Sequence, residues 1–469
     1  MINVRELALD MLMEILEDGK YSHLVVRNVL DKYNYMDIRD KAFVKRVTEG
    51  TLERLIQIDY VLDQFSKVPV LKMKPLIRSL MRLSVYQLLF MDQIPDSAVC
   101  NEAVRLAGKR GFRGLSGFVN GVLRNIARNR SGIQYPDPEK DRVLSLSIRY
   151  SMSRWLIAFW EEAYGKERAR EILDGLLSEH PVTVRLSGNI SGEEKEKWLL
   201  ELSKRKIQAE GHPYHPMAFT LSGTEGIKNL PGYEEGLFMV QDVSSMLAVD
   251  AAGIGKIPDD TGKMTDTVGN VPVSEEDLLV LDVCAAPGGK SLYMAEKLGG
   301  GGMVRSRDLT EYKAALIRDN IERMGYVNIK AEVYDARTPD ESLFEKADVV
   351  LADLPCSGLG IMGKKRDIKY RITKESMDEL VLLQKQILDV VWRYVKPGGV
   401  LIYSTCTINP EENDDIVQWF TDEHPFELQS LSPYLPEELK EEGKDGKIQL
   451  FPGIHKSDGF FIARMIRTL

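Results

Sequence analysis

Residues 278–291 read LLVLDVCAAPGGKS. The first six are apolar except for Asp282, the pattern of a strand covered on both faces in a parallel sheet. Ala286-Pro287-Gly288-Gly289 then makes a tight turn, and Lys290 opens a helical run. Glycine lets the backbone approach a ligand closely. The first turn of a helix offers unpaired N–H groups to a carboxylate or a ribose. Strand, glycine-rich turn and helix together form the first binding unit of a doubly wound α/β domain. Alone the pattern is weak, because an ordinary tight strand-to-helix turn uses the same residues.

The residues downstream strengthen it. Residues 302–308 read as a second strand with Asp308 at its tip. An acid about 20 residues beyond a glycine turn is placed to hydrogen-bond ribose hydroxyls. Asp335 follows a third short strand at 331–334. A fourth strand at 348–352 ends in Asp353-Leu354-Pro355-Cys356, and a fifth at 400–403 ends in Ser404-Thr405-Cys406. The carboxyl ends of successive parallel strands share one sheet edge, where such folds bind ligands. Two of the chain's four cysteines lie at that edge.

Cys284-Ala285-Ala286-Pro287-Gly288-Gly289-Lys290, with the Asp353–Cys356 and Ser404–Cys406 segments, resembles the Sun/RsmB family. These are RNA cytosine-5 methyltransferases that use S-adenosylmethionine. Leu354 departs from the family's usual alanine and Ser306 from the residue before x-Asp in the second strand, while the twelve-residue step from Asp308 to Asn320 agrees with it. The resemblance implies that residues 284–290, Asp308, Asp335 and Asp353 hold the cofactor. It places the nucleophile at Cys406, an acid contacting the base near N3 at Asp353, and a group assisting removal of the C5 proton at Cys356. The residue types suit the reaction. Cytosine C5 attacks a methyl sulfonium poorly, and a thiolate added at C6 converts the ring to an enamine whose C5 can take the methyl group. Cys284 is expected to pack against the cofactor turn and Cys100 within a helical core. Lys364, Lys365, Arg366 and Lys369 are expected to hold phosphates beside the pocket.

The 469 residues suffice for roughly three domains. The expected architecture is an all-α NusB-like RNA-binding domain at 1–130, a linker at 131–150 and a small α+β, ferredoxin- or RRM-like subdomain at 151–235. A Rossmann-like class I methyltransferase domain follows at 236–469. The helical assignment of 1–130 rests on apolar stripes such as Leu7, Ala8, Met11, Leu12 and Ile15. Residues 256–277, rich in Asp, Thr, Gly and Pro, read as a flexible surface insertion.

Net charge is −9, which by itself argues against an RNA partner. Its distribution does not, because residues 1–130 carry 21 Lys and Arg against 15 Asp and Glu, with no acid from Ala103 to Arg130. A local basic face binds phosphate on an acidic protein. Lys109, Arg110 and Arg113 are the residues expected to do so. The four cysteines form no CxxC pair, arguing against structural zinc and a disulfide framework, and His212 and His215 have metal-like spacing without cysteine beside them. No metal is expected. There is no apolar run long enough to span a bilayer, and Arg5 and Glu6 interrupt any signal-peptide core. A cytoplasmic, monomeric enzyme acting on small-subunit ribosomal RNA is the resulting expectation. A tRNA cytosine-5 methyltransferase is the nearest alternative, and a non-catalytic NusB-like RNA-binding or antitermination factor is the alternative from another class. A DNA methyltransferase fits less well, since those enzymes use the Pro-Cys cysteine and lack the Thr-Cys one.

Overall fold

The computed structural model describes residues 3–178, 181–224, 226–258, 264–268, 271–272 and 278–468. It divides into two compact units, Met1–Leu177 with Met362–Arg371, and Ser178–Ile361 with Ile372–Leu469.

The first unit is helical. Seven helices from Val4–Leu16 to Ser116–Arg128 enclose one core that includes Leu9, Met11, Val47, Ile58, Leu80 and Leu123. Asn3 starts the first helix by accepting from the N–H groups of Arg5 and Glu6, satisfying two of the donors a helix start leaves unpaired. Helices Arg142–Tyr150 and Arg154–Leu177 extend the unit, the second bent at Gly165 where φ is +81°.

Met362–Arg371 belongs to this unit, although it follows the Pro-Cys segment in sequence. Arg366 donates to Glu53 at 3.0 Å and to Glu49 at 2.8 Å. The Lys369 ammonium donates to the Glu53 carbonyl at 2.8 Å, and burial pushes its pKa down to about 7. The Asp367 carboxylate accepts from the Ser22 backbone. The expectation that Arg366 and Lys369 hold phosphates is therefore corrected, because both are spent on helical partners more than 300 positions away.

The second unit contains two sheets and a small strand group. A four-stranded antiparallel sheet has Val182–Leu186 between Ala218–Ser222 and Phe238–Val240, with Gln208–Gly211 outermost. Helix Gly192–Lys204, opened by a Ser191–Glu194 capping box, buries Trp198 against it. Fully buried Arg185 leaves this sheet, donating to Glu296 at 2.6 Å and lying over the Tyr293 ring. Segment 255–272 carries paired strands at Gly255–Pro258, Met264–Val268 and Val271–Pro272. The remainder of the expected insertion lies outside the described residues.

The large sheet contains β1 (Leu279–Asp282), β2 (Met303–Asp308), β3 (Ile329–Val333), β4 (Ala347–Asp353), β5 (Val395–Thr405), β6 (Phe426–Leu428), β7 (Lys447–Leu450) and β8 (Phe460–Arg467). Their order is β3-β2-β1-β4-β5-β8-β6, with β7 paired to β8. The first five are parallel, and β6, β7 and β8 join antiparallel. The order reverses at β1, so the ligand crevice lies outside the carboxyl ends of β1 and β4. Val280, Leu281, Val349, Val350, Leu401 and Ile402 are fully buried, as the apolar strand runs require.

Candidate active site

At the β1 end, buried Asp282 accepts from Ser291 Oγ at 2.6 Å, tying the strand tip to the helix beyond the turn. Burial pushes its carboxyl up to about 7. Gly288 has φ +102°, and a Cβ there would stand 3.2 Å from Ile317 Cγ2. Conformation and space both call for glycine. The helix Gly289–Lys297 begins at once, directing its free N–H groups to the same edge. Asn320 supports the turn by donating to the Pro287 carbonyl at 3.0 Å. Cys284 packs behind it, and burial raises its thiol pKa.

Asp308 ends β2 with 3% of its surface exposed. Its Oδ2 accepts from Ala286 N at 2.9 Å, and Oδ1 from Leu309 N at 2.8 Å and Lys313 Nζ at 2.8 Å. A carboxylate has about four acceptor positions, so three donors leave one for a hydroxyl. The turn and this acid fit the ribose and carboxylate of a nucleoside-amino-acid cofactor. Asp335 stands at the same edge, but Arg337 clamps it with contacts of 3.0 and 2.6 Å and holds its carboxyl below the usual range.

β4 and β5 are neighbours, with Asp353 opposite Ser404. Asp353 Oδ1 accepts from Ser404 Oγ at 2.8 Å and Oδ2 from Lys290 Nζ at 2.7 Å. Beyond these strand tips the sulfurs of Cys356 and Cys406 lie 3.4 Å apart. The hydrogen bond to Cys406, then burial, drives the Cys356 thiol pKa well up. Burial works against the Lys290 charge, but Asp353, with a smaller contribution from Cys406, outweighs it and raises the lysine pKa. The Lys290 ammonium is thus held at Asp353, on the strand that leads to Cys356.

Backbone contacts hold the two cysteine segments together. Gly360 N donates to the Cys406 carbonyl at 3.1 Å, and Gly459 N donates to the Gly360 carbonyl at 3.0 Å. A Cβ on Gly360 would fall 1.9 Å from the Gly459 oxygen. Gly360→Ala is accordingly expected to lower stability by at least about 2 kcal/mol through overpacking. Thermal unfolding checks this against the wild type.

Comparison with known proteins follows the same division of the chain. Residues 271–466 match the model described as 16S rRNA methyltransferase RsmB/F. Residues 2–128 match the NusB family, and 152–227 the ferredoxin-like domain of RsmF/B-like methyltransferases. The probable ribosomal RNA small subunit methyltransferase B of Bacillus subtilis is 36% identical, the match covering 99% of this chain and 98% of that protein. The chain belongs to the RsmB/F methyltransferase family. A ribosomal RNA small subunit methyltransferase B from Klebsiella pneumoniae is 29% identical, with 99% and 98% covered. The crystal structure of PH0851 superimposes with a TM-score of 0.78 at 25% identity, covering 99% of both chains.

S-adenosylmethionine is the cofactor of this RsmB/F enzyme. The predicted residues Cys284 to Lys290, Asp308, Asp353, Cys356 and Cys406 all stand at the β1, β2, β4 and β5 ends. Sequence reasoning placed Lys290 with the cofactor turn only, whereas its ammonium reaches Asp353. It missed Ser404, the partner of Asp353, and buried Glu412 behind the cysteines. Ser404 was legible as a polar residue at a strand end. Among the described residues no group of three His, Cys, Asp or Glu side chains is placed to hold a metal ion. His212 bonds the Lys456 carbonyl and His215 the Tyr293 hydroxyl. Among the described residues no helix is long and apolar enough to cross a membrane.

Proposed function

We propose that this protein transfers a methyl group from S-adenosylmethionine to C5 of a cytosine in 16S ribosomal RNA through a covalent Cys406–C6 adduct. The observation that carries the reading is the pair of cysteine sulfurs 3.4 Å apart, next to the Asp353–Lys290 pair and at the sheet edge of the cofactor turn. C5 and C6 are adjacent atoms of one ring, so two neighbouring sulfurs address both carbons.

Cys406 thiolate adds to C6 while Asp353 hydrogen-bonds the base and relays to N3 a proton drawn from the Lys290 ammonium. Bound S-adenosylmethionine supplies the methyl group from its sulfonium. Once Cys406 is bonded to carbon it no longer accepts the hydrogen bond that, ahead of burial, raised the Cys356 pKa. Cys356 gives its own proton to water and, as thiolate, removes the C5 proton; the C6–S bond breaks, Cys406 leaves as thiolate, and N3 returns its proton. The base must leave its stack to reach these groups, which single-stranded loops and bulges make easiest. The small-subunit rRNA named for the curated relatives supports that substrate over tRNA.

Small-subunit RNA from cells lacking the gene, incubated with the protein and cofactor and digested to nucleosides, is expected to contain new 5-methylcytidine. No methylation, or methylation at another atom, would overturn the proposal.

The helical unit is proposed to bind the RNA backbone, with the contact set revised by the structure. Lys109 and Arg110 pair with Glu6 and Asp10, Arg105 with Glu102, and Arg130 with Asp96. Arg113, Arg124 and Arg128 are exposed and form no ion pair with a described residue. Arg124 and Arg128 are one helical turn apart, beside the small exposed residues Gly117 and Gly121. Replacing these three arginines together by alanine should weaken RNA binding and lower the slope of log affinity against log salt by about 2–3. Fluorescence titration at several salt concentrations measures both.

A further inference from the structure

Glu412 is a fully buried carboxylate just past the Thr-Cys segment. Its Oε2 accepts from Ser357 N at 2.9 Å and from Gln384 Nε2 at 3.0 Å. Its Oε1 accepts from Asn409 Nδ2 at 2.9 Å and from Ser357 Oγ. None of these donors is cationic. A buried carboxylate is costly unless its acceptor positions are filled, and four donors fill about four positions.

The donors come from three separate segments. Ser357 directly follows Cys356. Asn409 lies three residues past Cys406. Gln384, on helix Lys374–Val391, also donates to the Pro355 carbonyl at 3.0 Å, beside the first cysteine. Ser357 Oγ and Thr407 Oγ1 are 2.7 Å apart, joining the residues that follow the two cysteines. With Ser357 Oγ donating to Glu412, Thr407 supplies the proton of that second bond. The Glu412 carbonyl accepts from Tyr403 OH, on the strand leading to Cys406. One side chain thus gathers both cysteine-bearing segments from behind without reaching the pocket.

We propose that Glu412 is the positioning residue that fixes the separation of Cys356 and Cys406, and so sets nucleophile and base on adjacent carbons of one ring. This rests on the two-cysteine reading above. Glu412→Gln is nearly isosteric, but its amide NH2 must face donors. Glu412→Ala removes the acceptor altogether and leaves four donors unpaired.

The test combines turnover with a substrate-free reading of the cysteine separation. Diamide takes two electrons and two protons from a close thiol pair, and peptide mass spectrometry follows the Cys356–Cys406 link. For both variants kcat is expected to fall about 10–100-fold with KM for S-adenosylmethionine within about twofold of wild type, as for misplaced groups. The diamide link should form at least about tenfold more slowly, with wild-type thermal unfolding retained by Glu412→Gln. Unchanged kcat overturns the proposal, and so does an unchanged or faster link at any kcat. If Glu412→Ala does not fold, Glu412→Gln decides. If the wild type forms no 5-methylcytidine, the functional reading fails, while the linking rate still decides the role of Glu412.

Discussion

Cys406→Ala is expected to lower methyl transfer by roughly 10⁴-fold or more, the scale of removing a covalent nucleophile. It should form no covalent complex with RNA. Cys356→Ala is expected to behave differently, because it keeps attack and methyl transfer and loses the group that removes the C5 proton. Protein should then accumulate on methylated RNA as a slow-migrating, nuclease-sensitive band on a denaturing gel. The difference follows from the environment of each sulfur. The hydrogen bond to Cys406 raises the Cys356 thiol pKa, while Cys406 is the sulfur whose charge contributes to raising the Lys290 pKa. Trapping by Cys406→Ala with an inert Cys356→Ala would reverse the two roles and leave the reaction class standing.

Asp308→Ala should weaken S-adenosylmethionine binding by about 10–100-fold, the worth of hydrogen bonds to a charged acceptor. Two effects add. The ribose loses its acceptor, and the backbone N–H groups of Ala286 and Leu309 lose theirs at 2.9 and 2.8 Å, which loosens the glycine turn itself. Asp335→Ala is expected to do less, because Arg337 already occupies that carboxylate. Calorimetric titration compares the three proteins. Unchanged affinity for Asp308→Ala would remove Asp308 from the cofactor site.

The parallel sheet and its functional edge were legible because their signals are local. An apolar run, a glycine turn, and acids or cysteines placed just past successive strands all lie within short windows of sequence. The helical stripes were legible for the same reason. Charge partners were not. Lys109 and Arg110 read as free phosphate ligands because Glu6 and Asp10 lie about a hundred positions upstream. Arg366 and Lys369 read as phosphate ligands because nothing near them shows that Glu49 and Glu53 will meet them. Glu412 sits in Asn409-Pro410-Glu411-Glu412-Asn413, residue types that open a helix and give no sign of which acid is buried. Its neighbour Glu411 does point to Lys374 at a half-exposed position, while Glu412 turns inward to Ser357 and Gln384. Adjacent identical residues with opposite fates are separated only by tertiary contacts.

RNA carrying 5-fluorocytidine tests directly for a bond between Cys406 and C6 of cytosine during methyl transfer. Fluorine at C5 leaves no proton for Cys356 to remove, so the methylated adduct cannot resolve. After incubation of the wild-type protein with this RNA and S-adenosylmethionine, then nuclease and protease digestion, mass spectrometry is expected to find a methylated fluorocytidine on the peptide bearing Cys406. The nucleotide on the Cys356 peptide, or methylation with no protein-bound nucleotide, would contradict it.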